Sequence, residues 1–497
     1  MVLYGRMRRK TAVMTTLVAL LVVGSGMLAA TEVISHSRAP PFPVVWSRSL
    51  SGSSASQLVV GDSIYFLDQV NSGGFWCVYE IDAMNVANGM QTWLSKPFNL
   101  TSAVPTSCQG VGLPSMLPIG RTLYVVAPIL GLSATFPNGT SITQSFGNLK
   151  LGSLGFDLQT GHLDSVSSVV APSSFTKPGG EDYLGSGFSL SNGVDIFAGT
   201  VPPGGGGPTN SLEMQVEAIQ PGNSRPVWVD NISIPINSTQ DVSSSRSVNS
   251  TSLDVLLSYA DEQCLQTEAT QNCPLSYRLV SFNTVDGSAT QEEISPWTVQ
   301  AGVSVKGPDG YVVFRFTGMV GNQSIIGQRA SDGKIVMNTS AISPGGLQSV
   351  DGELLYDYPI MCAGMNCGGP PNGYIAYTPA GQVVWSLQMD TGASMGHWSP
   401  FLFAGHLVLL SNVRTGFVAT SWNHLDYGGL YGSFYLVNST NGDVVWKTDY
   451  NPIVFPPFTA DGPAPLFYPM TSAGNYMFFS NGVNPTTIYC VDVNQLR

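Results

Sequence analysis

The stretch SFYLVNSTNGDVVW (433–446) reads as a strand, a tight Asn441-Gly442 turn and a second strand ending in Trp446. A two-residue primed hairpin favours Asn-Gly because both central residues take positive φ. The same unit recurs. GYIAYTPAGQVVW (373–385) is a near copy, and FWCVYEIDAMNVANGMQTW (75–93) has a longer turn. LGSLGFDLQTGHL (151–163) and MQVEAIQPGNSRPVW (214–228) keep the pattern, and YRLVSFNTVDGSA (277–289) and IIGQRASDGKIV (325–336) are weaker copies.

An apolar hairpin with a polar kink precedes each copy. Examples are QLVVGDSIYFLD (57–68), PSMLPIGRTLYVV (114–126), GLQSVDGELLYDY (346–358), SPFLFAGHLVLLS (399–411) and YPMTSAGNYMFFS (468–480). Two hairpins per unit give four strands, repeated along the chain as in a propeller. The expectation is an all-β chain: an eight-bladed β-propeller of four-stranded antiparallel blades over residues 43–497. A lone four-stranded sheet leaves its faces bare, so neighbours stack and the ring closes. The last unit shows 468–480 and 487–493 without a fourth strand ending in Trp. Residues 43–50 (PVVWSRSL) supply one, so the N-terminal strand is expected to pair with 487–493 and close the ring.

Charged residues make up only 10% of the 497, and the formal charge is −12. That balance excludes nucleic acid as a partner. Residues 1–30 read as a signal peptide or an anchor: Arg6, Arg8, Arg9 and Lys10, then an uncharged apolar run from 11 to 30. The expectation is export to the periplasm or cell surface, with membrane contact only through that segment if it stays uncleaved. Residues 31–42 read as a linker. The seven cysteines fit an oxidising compartment. Cys77 and Cys108, Cys264 and Cys273, and Cys362 and Cys367 are disulfide candidates, with Cys490 left over. Neither short-loop pair has a partner at ligand spacing, so no metal site is expected. GASMG (392–396) matches a nucleophile-elbow pattern, but such an elbow needs a strand-to-helix turn that an all-β chain lacks.

Turns inside the hairpins are short, whereas connections at the other ends are long: 127–148, 171–185, 200–212, 231–248, 260–275, 359–372, 412–432 and 450–466. Long irregular connections in a compact domain carry function, which places the site on that built-up face. Asp68, Asp261 and Asp357 are read as ending apolar strands there. An apolar wall raises a carboxyl pKa and suits it to acid–base work. Asp357, leading into the 359–372 loop with Cys362 and Cys367, is the first candidate.

FDLQTG (156–161), YEID (79–82) and GDVVW (442–446) resemble the repeats of the PQQ-like propeller superfamily, over roughly residues 45–495. Quinoprotein dehydrogenases of that superfamily carry adjacent cysteines, and this chain has no Cys-Cys pair. No quinone or other cofactor is therefore expected. In size, leader and blade number the chain is most similar to the tetrathionate hydrolases of acidophilic sulfur oxidisers. That resemblance implies an essential Asp, a homodimer built by long loops, and cleavage of polythionates to thiosulfate, sulfate and sulfur. Composition agrees: few ion pairs are lost when carboxylates protonate. In acid the side chains carry up to +25, from 20 Lys and Arg and 5 His, a field that draws in a dianion. Arg414 is the expected contact for a sulfonate end. Phe417, Trp422, Leu425, Tyr427, Leu430 and Tyr431 in the 412–432 connection suit a dimer interface. The second class is a non-enzymatic exported propeller that binds protein through its loops.

Overall fold

The computed structural model describes most of residues 43–496. Outside it lie 1–42, 74–75, 102–113, 171–187, 190–194, 202–210, 224, 236–241, 249–251, 261–273, 299–302, 318–323, 342–345, 359–372, 390–399, 404–405, 422–423, 448–450, 454–467, 481–485 and 497, together with several strand side chains, including 411–433.

The described chain is all-β, in seven antiparallel sheets, with one 3-10 turn over Val493–Leu496. Its building block is a four-stranded meander in chain order. Meander 1 runs Ser53–Val60, Ser63–Gly73, Trp76–Asn85 and Gln91–Leu94. Meander 2 runs Ser115–Ile119, Thr122–Thr135, Ser141–Asp157 and Leu163–Val170. Phe98–Thr101 pairs with both and merges them into one nine-stranded sheet. Meander 3 spans Phe188–Ser189 to Trp228–Pro235, and meander 4 Val242–Val248 to Ala289–Thr298. Meander 5 spans Val303–Gly307 to Ile335–Ser340, meander 6 Gly346–Val350 to Val383–Gln388, and meander 7 Phe401–Phe403 to Val444–Lys447. The closing sheet joins Tyr468–Ala473, Tyr476–Ser480 and Thr487–Asp492 to Trp46–Ser49 from the other end of the chain, with Trp46 opposite Cys490.

Each meander packs on the next, and the closing sheet packs on the first. Buried apolar clusters span meanders 1 and 2, 3 and 4, 5 and 6, 6 and 7, 7 and the closing sheet, and the closing sheet and meander 1. Polar contacts mark the other two junctions. The Gly222 N–H donates to Ser153 Oγ (3.3 Å) between meanders 2 and 3, and Lys306 Nζ donates to Asp254 Oδ2 (2.6 Å) between meanders 4 and 5. The first strand of meander 1 touches the first strands of meander 2 and of the closing sheet, so first strands line one side of the assembly.

The turn after the third strand decides how neighbours dock, and it corrects the hairpin expectation. Gly442 takes φ 77°, but among the described residues only Asp351 and His406 are non-glycines with positive φ. Asn441 is therefore not the first residue of a primed two-residue turn. Instead Gly442 N–H bonds to Asn438 O four residues back (2.8 Å), and Asn438 Oδ1 accepts the Thr440 N–H (2.9 Å). The wider turn arises because the Asn438 side chain caps it from inside. Asn85–Gly89, Asp157–Gly161 and Asn283–Gly287 repeat the carbonyl-to-glycine bond.

The glycine is a landing pad for a tryptophan of the preceding meander. A Cβ on Gly442 would lie 2.5 Å from the Trp385 side chain. Trp385 Nε1 donates to Ser439 O (2.5 Å), and Trp46, Trp93 and Trp228 donate likewise to Val86, Leu158 and Thr284 carbonyls. Met337 occupies the same place against Gly381.

Two of the expected long connections are not irregular loops. Most of 127–148 belongs to the strands Thr122–Thr135 and Ser141–Asp157, and nearly all of 412–432 to Leu407–Ser421 and His424–Asn438. Each pair extends past its sheet as a long hairpin. Alternating Ser and Thr explain the first: Ser133 pairs with Thr143 (3.0 Å) and Thr135 with Ser141 (2.9 Å) through their hydroxyls across the strands.

Candidate functional site

Asp357 and Asp68 occupy similar places: each stands on the second strand of its meander and holds the backbone where the first strand begins. Asp357, 6% exposed, accepts the Gly346 N–H at Oδ1 (2.5 Å). A Cβ on Gly346 would sit 2.8 Å from Asp357 Oδ2, so only glycine admits so close an approach. Tyr374 lies opposite Asp357 in the register, whereas Phe316, Tyr356 and Tyr358 form an aromatic run, centroids 5.8 Å apart, on the other face of the sheet. Burial, with the nearby Tyr356 charge, pushes the Tyr358 phenol up. The result is a buried carboxyl on the Leu355 and Tyr374 face of meander 6, at the edge of the undescribed segment 359–372.

Asp68, 1% exposed, accepts Gly52 N–H (2.9 Å) and Ser51 Oγ–H (2.8 Å) at Oδ2. Its Oδ1 is buried without a hydrogen-bond partner among the described residues. Asp68 does not end a strand as expected, because Ser63–Gly73 continues past it by pairing with Trp76–Asn85. Glu80 stands opposite and shares the Ser51 hydroxyl (3.1 Å). Asp82 takes Gln91 Nε2–H (2.8 Å) and lies 4.0 Å from Arg48 Nε on the closing strand. Burial pushes Asp82 up to about 6; Gln91 and Arg48 oppose this, and the Asp68 and Glu80 charges add to it.

Asp68 and Asp357 stand in separate meanders, with no hydrogen bond joining them. Asp261, Cys108, Cys264, Cys273, Cys362, Cys367 and the 392–396 motif lie outside the described residues. Cys77 is disulfide-bonded, and Cys490 is free and buried. The Arg414 backbone pairs with Tyr431 in the long hairpin; its side chain is outside the description. Among the described residues no group of His, Cys, Asp and Glu could hold a metal ion, and no helix is long and apolar enough to cross a membrane.

Two groups escaped the sequence reading. Glu217 is 2% exposed, its Oε1 has no hydrogen-bond partner among the described residues, and burial pushes it up to about 7. The alternation in EMQVEA sends Met214, Val216 and Ala218 into the cluster shared with meander 4, which puts Glu217 on the other face. That face reads as solvent unless a neighbouring sheet is known to cover it. The second group is Asp351, whose Oδ2 accepts Ser439 Oγ–H (2.5 Å) and meets His406 Nδ1 (2.6 Å), tying meander 6 to meander 7. Burial works against ionisation of Asp351, but the Ser439 and His406 hydrogen bonds outweigh it and hold the carboxyl below its ordinary value.

No family model matches the chain, and no curated protein matches it. Similar solved structures include the Dos1 propeller (11% identity, TM-score 0.39, covering 90% of this chain and 94% of that one). BamB from Moraxella catarrhalis has 10% identity and TM-score 0.31, covering 74% and 96%. The β-propeller domain of the Trilobed protease from Pyrococcus furiosus has 9% identity and TM-score 0.33, covering 77% and 97%.

Proposed function

We propose that the chain is an exported, eight-bladed propeller of the PQQ-like kind that works in acid and cleaves tetrathionate or related polythionates. Supporting the ring are the meander repeat, the cyclic order of packing and the pairing of Trp46–Ser49 with Thr487–Asp492. The observation that carries the acid reading is the pair of buried carboxyls, Asp82 pushed up to about 6 and Glu217 to about 7. In strong acid both are uncharged, and their burial then costs little. Hydroxyl pairs such as Ser133–Thr143 and Ser49–Thr487 need no carboxylate and survive the same conditions.

For the chemistry, Asp357 is the proposed acid–base group at the S–S bond. The backbone N–H groups of glycine-rich segments and Arg414 would hold the sulfonate ends. The long hairpin that contains 412–432 is proposed to build a homodimer. The test is incubation with tetrathionate at pH 2–5 and assay of thiosulfate. Asp357→Asn is expected to lower turnover at pH 3 by at least roughly a hundredfold; wild-type turnover in that variant makes Asp357 structural. Absence of turnover for any polythionate at any pH favours the second reading, a protein-binding scaffold, to which the two long hairpins would lend reach.

A further inference from the structure

A cavity of about 310 Å³ opens between meanders 1 and 2. Three segments build it: the connection 94–98 leaving meander 1, the hairpin extension of meander 2, and the turn 160–163 that receives Trp93. Its size is at the lower end of clefts that take small organic ligands, about 300–1,000 Å³. The floor is apolar, from Phe98, Phe156, Leu163 and Ala134, all buried. Phe98 and Phe156 pack with centroids 5.3 Å apart.

The rim has the opposite character. Lys96 and His162 line the cavity, both exposed, and no Asp or Glu lines it. Among the described residues Lys96 Nζ makes only a long hydrogen bond, 3.5 Å, to the Phe136 carbonyl, which leaves ammonium donors for another acceptor. The neighbouring acid, Asp157, is occupied: Oδ1 takes the Gln159 and Thr160 N–H groups and the Thr160 hydroxyl, and Arg121 lies 3.8 Å from Oδ2.

From the apolar floor beneath the Lys96 ammonium and the His162 imidazole, we propose that this cavity binds a small organic anion with an apolar body, such as an aromatic or short-chain sulfonate or carboxylate. The body displaces water from the Phe98–Phe156 floor, and the anionic end meets Lys96 and His162 at the rim. The site lies between meanders 1 and 2, whereas Asp357 stands in meander 6, so failure here leaves the polythionate reading untouched.

Fluorine NMR titration of the full chain with 4-fluorobenzenesulfonate tests it, with 4-fluorobenzyl alcohol as the neutral counterpart. Saturable binding at about millimolar or tighter is expected for the sulfonate, in keeping with the ceiling per ligand atom. The alcohol should bind at least tenfold more weakly. The double variant Lys96→Gln, His162→Gln changes two exposed side chains and should keep the wild-type melting curve while losing at least tenfold in affinity. Equal binding of the alcohol, undiminished affinity in the double variant, or no saturable sulfonate binding would each overturn the proposal.

Discussion

Trp46→Ala tests ring closure at its seam. Trp46 belongs to the strand supplied by the N-terminal end, donates to Val86 O at 2.8 Å and packs on Phe478 with centroids 5.8 Å apart. Full truncation of a buried Trp costs about 3–5 kcal/mol. Trp46 is only half-buried, so about 2 kcal/mol of packing is at stake, plus about 1 kcal/mol for the hydrogen bond. A loss of about 3 kcal/mol spread over about 455 residues moves the melting point by only about 3 °C. A local reporter is sharper. Cys490 is fully buried directly opposite Trp46, and burial, with the Asp492 charge, pushes its thiol up to about 12. Its alkylation therefore requires the seam to open. A seam weakened by about 3 kcal/mol opens roughly a hundredfold more often, and labelling of Cys490 should accelerate by that factor. The assay is iodoacetamide labelling of the folded protein at pH 8, read at the Cys490 peptide by mass spectrometry. Trp385→Ala, at a junction away from the seam, should lower the melting point with little effect on Cys490. An unchanged labelling rate in Trp46→Ala would refute the reasoning.

Three further outcomes are expected. Gly442→Ala forces a Cβ at φ 77° toward Trp385 and should cost roughly 2–3 kcal/mol, seen as a lower urea midpoint at constant slope; an unmoved midpoint contradicts the docking. Glu217 has its folded pKa raised from 4.5 to about 7, so its stabilising contribution is complete below about 4.5 and lost as pH rises through 7. Glu217→Gln should match the wild type at pH 4 and exceed it by roughly 2–3 kcal/mol at pH 8 by chemical denaturation, whereas a pH-independent difference would be contrary. Asp351 has its folded pKa lowered, so its contribution is present above the unfolded value of 3.8 and lost as pH falls through the lower folded one. Asp351→Asn should therefore lower the melting temperature at pH 7 and converge on the wild type in strong acid; a constant offset would remove the carboxylate from the explanation.

Much of the architecture was legible because the repeat is written in residue types with strict backbone demands. Asn, Asp and Gly at the third-strand turns and Trp on the fourth strands marked the meanders, and Trp46 without a partner pointed to the seam. What misled was finer geometry. Asn441-Gly442 was read as a primed turn since the dipeptide favours it, yet the Asn438 side chain captures Thr440 and widens the turn. Residues 127–148 were read as a long irregular connection, but hydroxyl pairing carries the strands out to Thr135 and Ser141. Asp68 looked like a strand end because an apolar run stops there, while backbone pairing, indifferent to side-chain polarity, continues to Gly73. Glu217 was invisible because alternation shows which residues share a face and not which faces are covered.

The seam also dictates an order of events. Ser49 and Thr487 share a hydrogen bond across 438 positions, so the strand that emerges among the first must wait for one among the last. Until then the outer face of meander 1, with Ile64, Phe66 and Met84, lacks its cover from Phe478, Ile488 and Cys490. Contacts of such long range are slow to form, and an uncovered apolar sheet invites intermolecular pairing meanwhile. Made from the N-terminal side, the chain would hold that face bare until residues 478–490 emerge. Its yield would depend on how quickly the final sheet arrives and on what shields meander 1 during the wait.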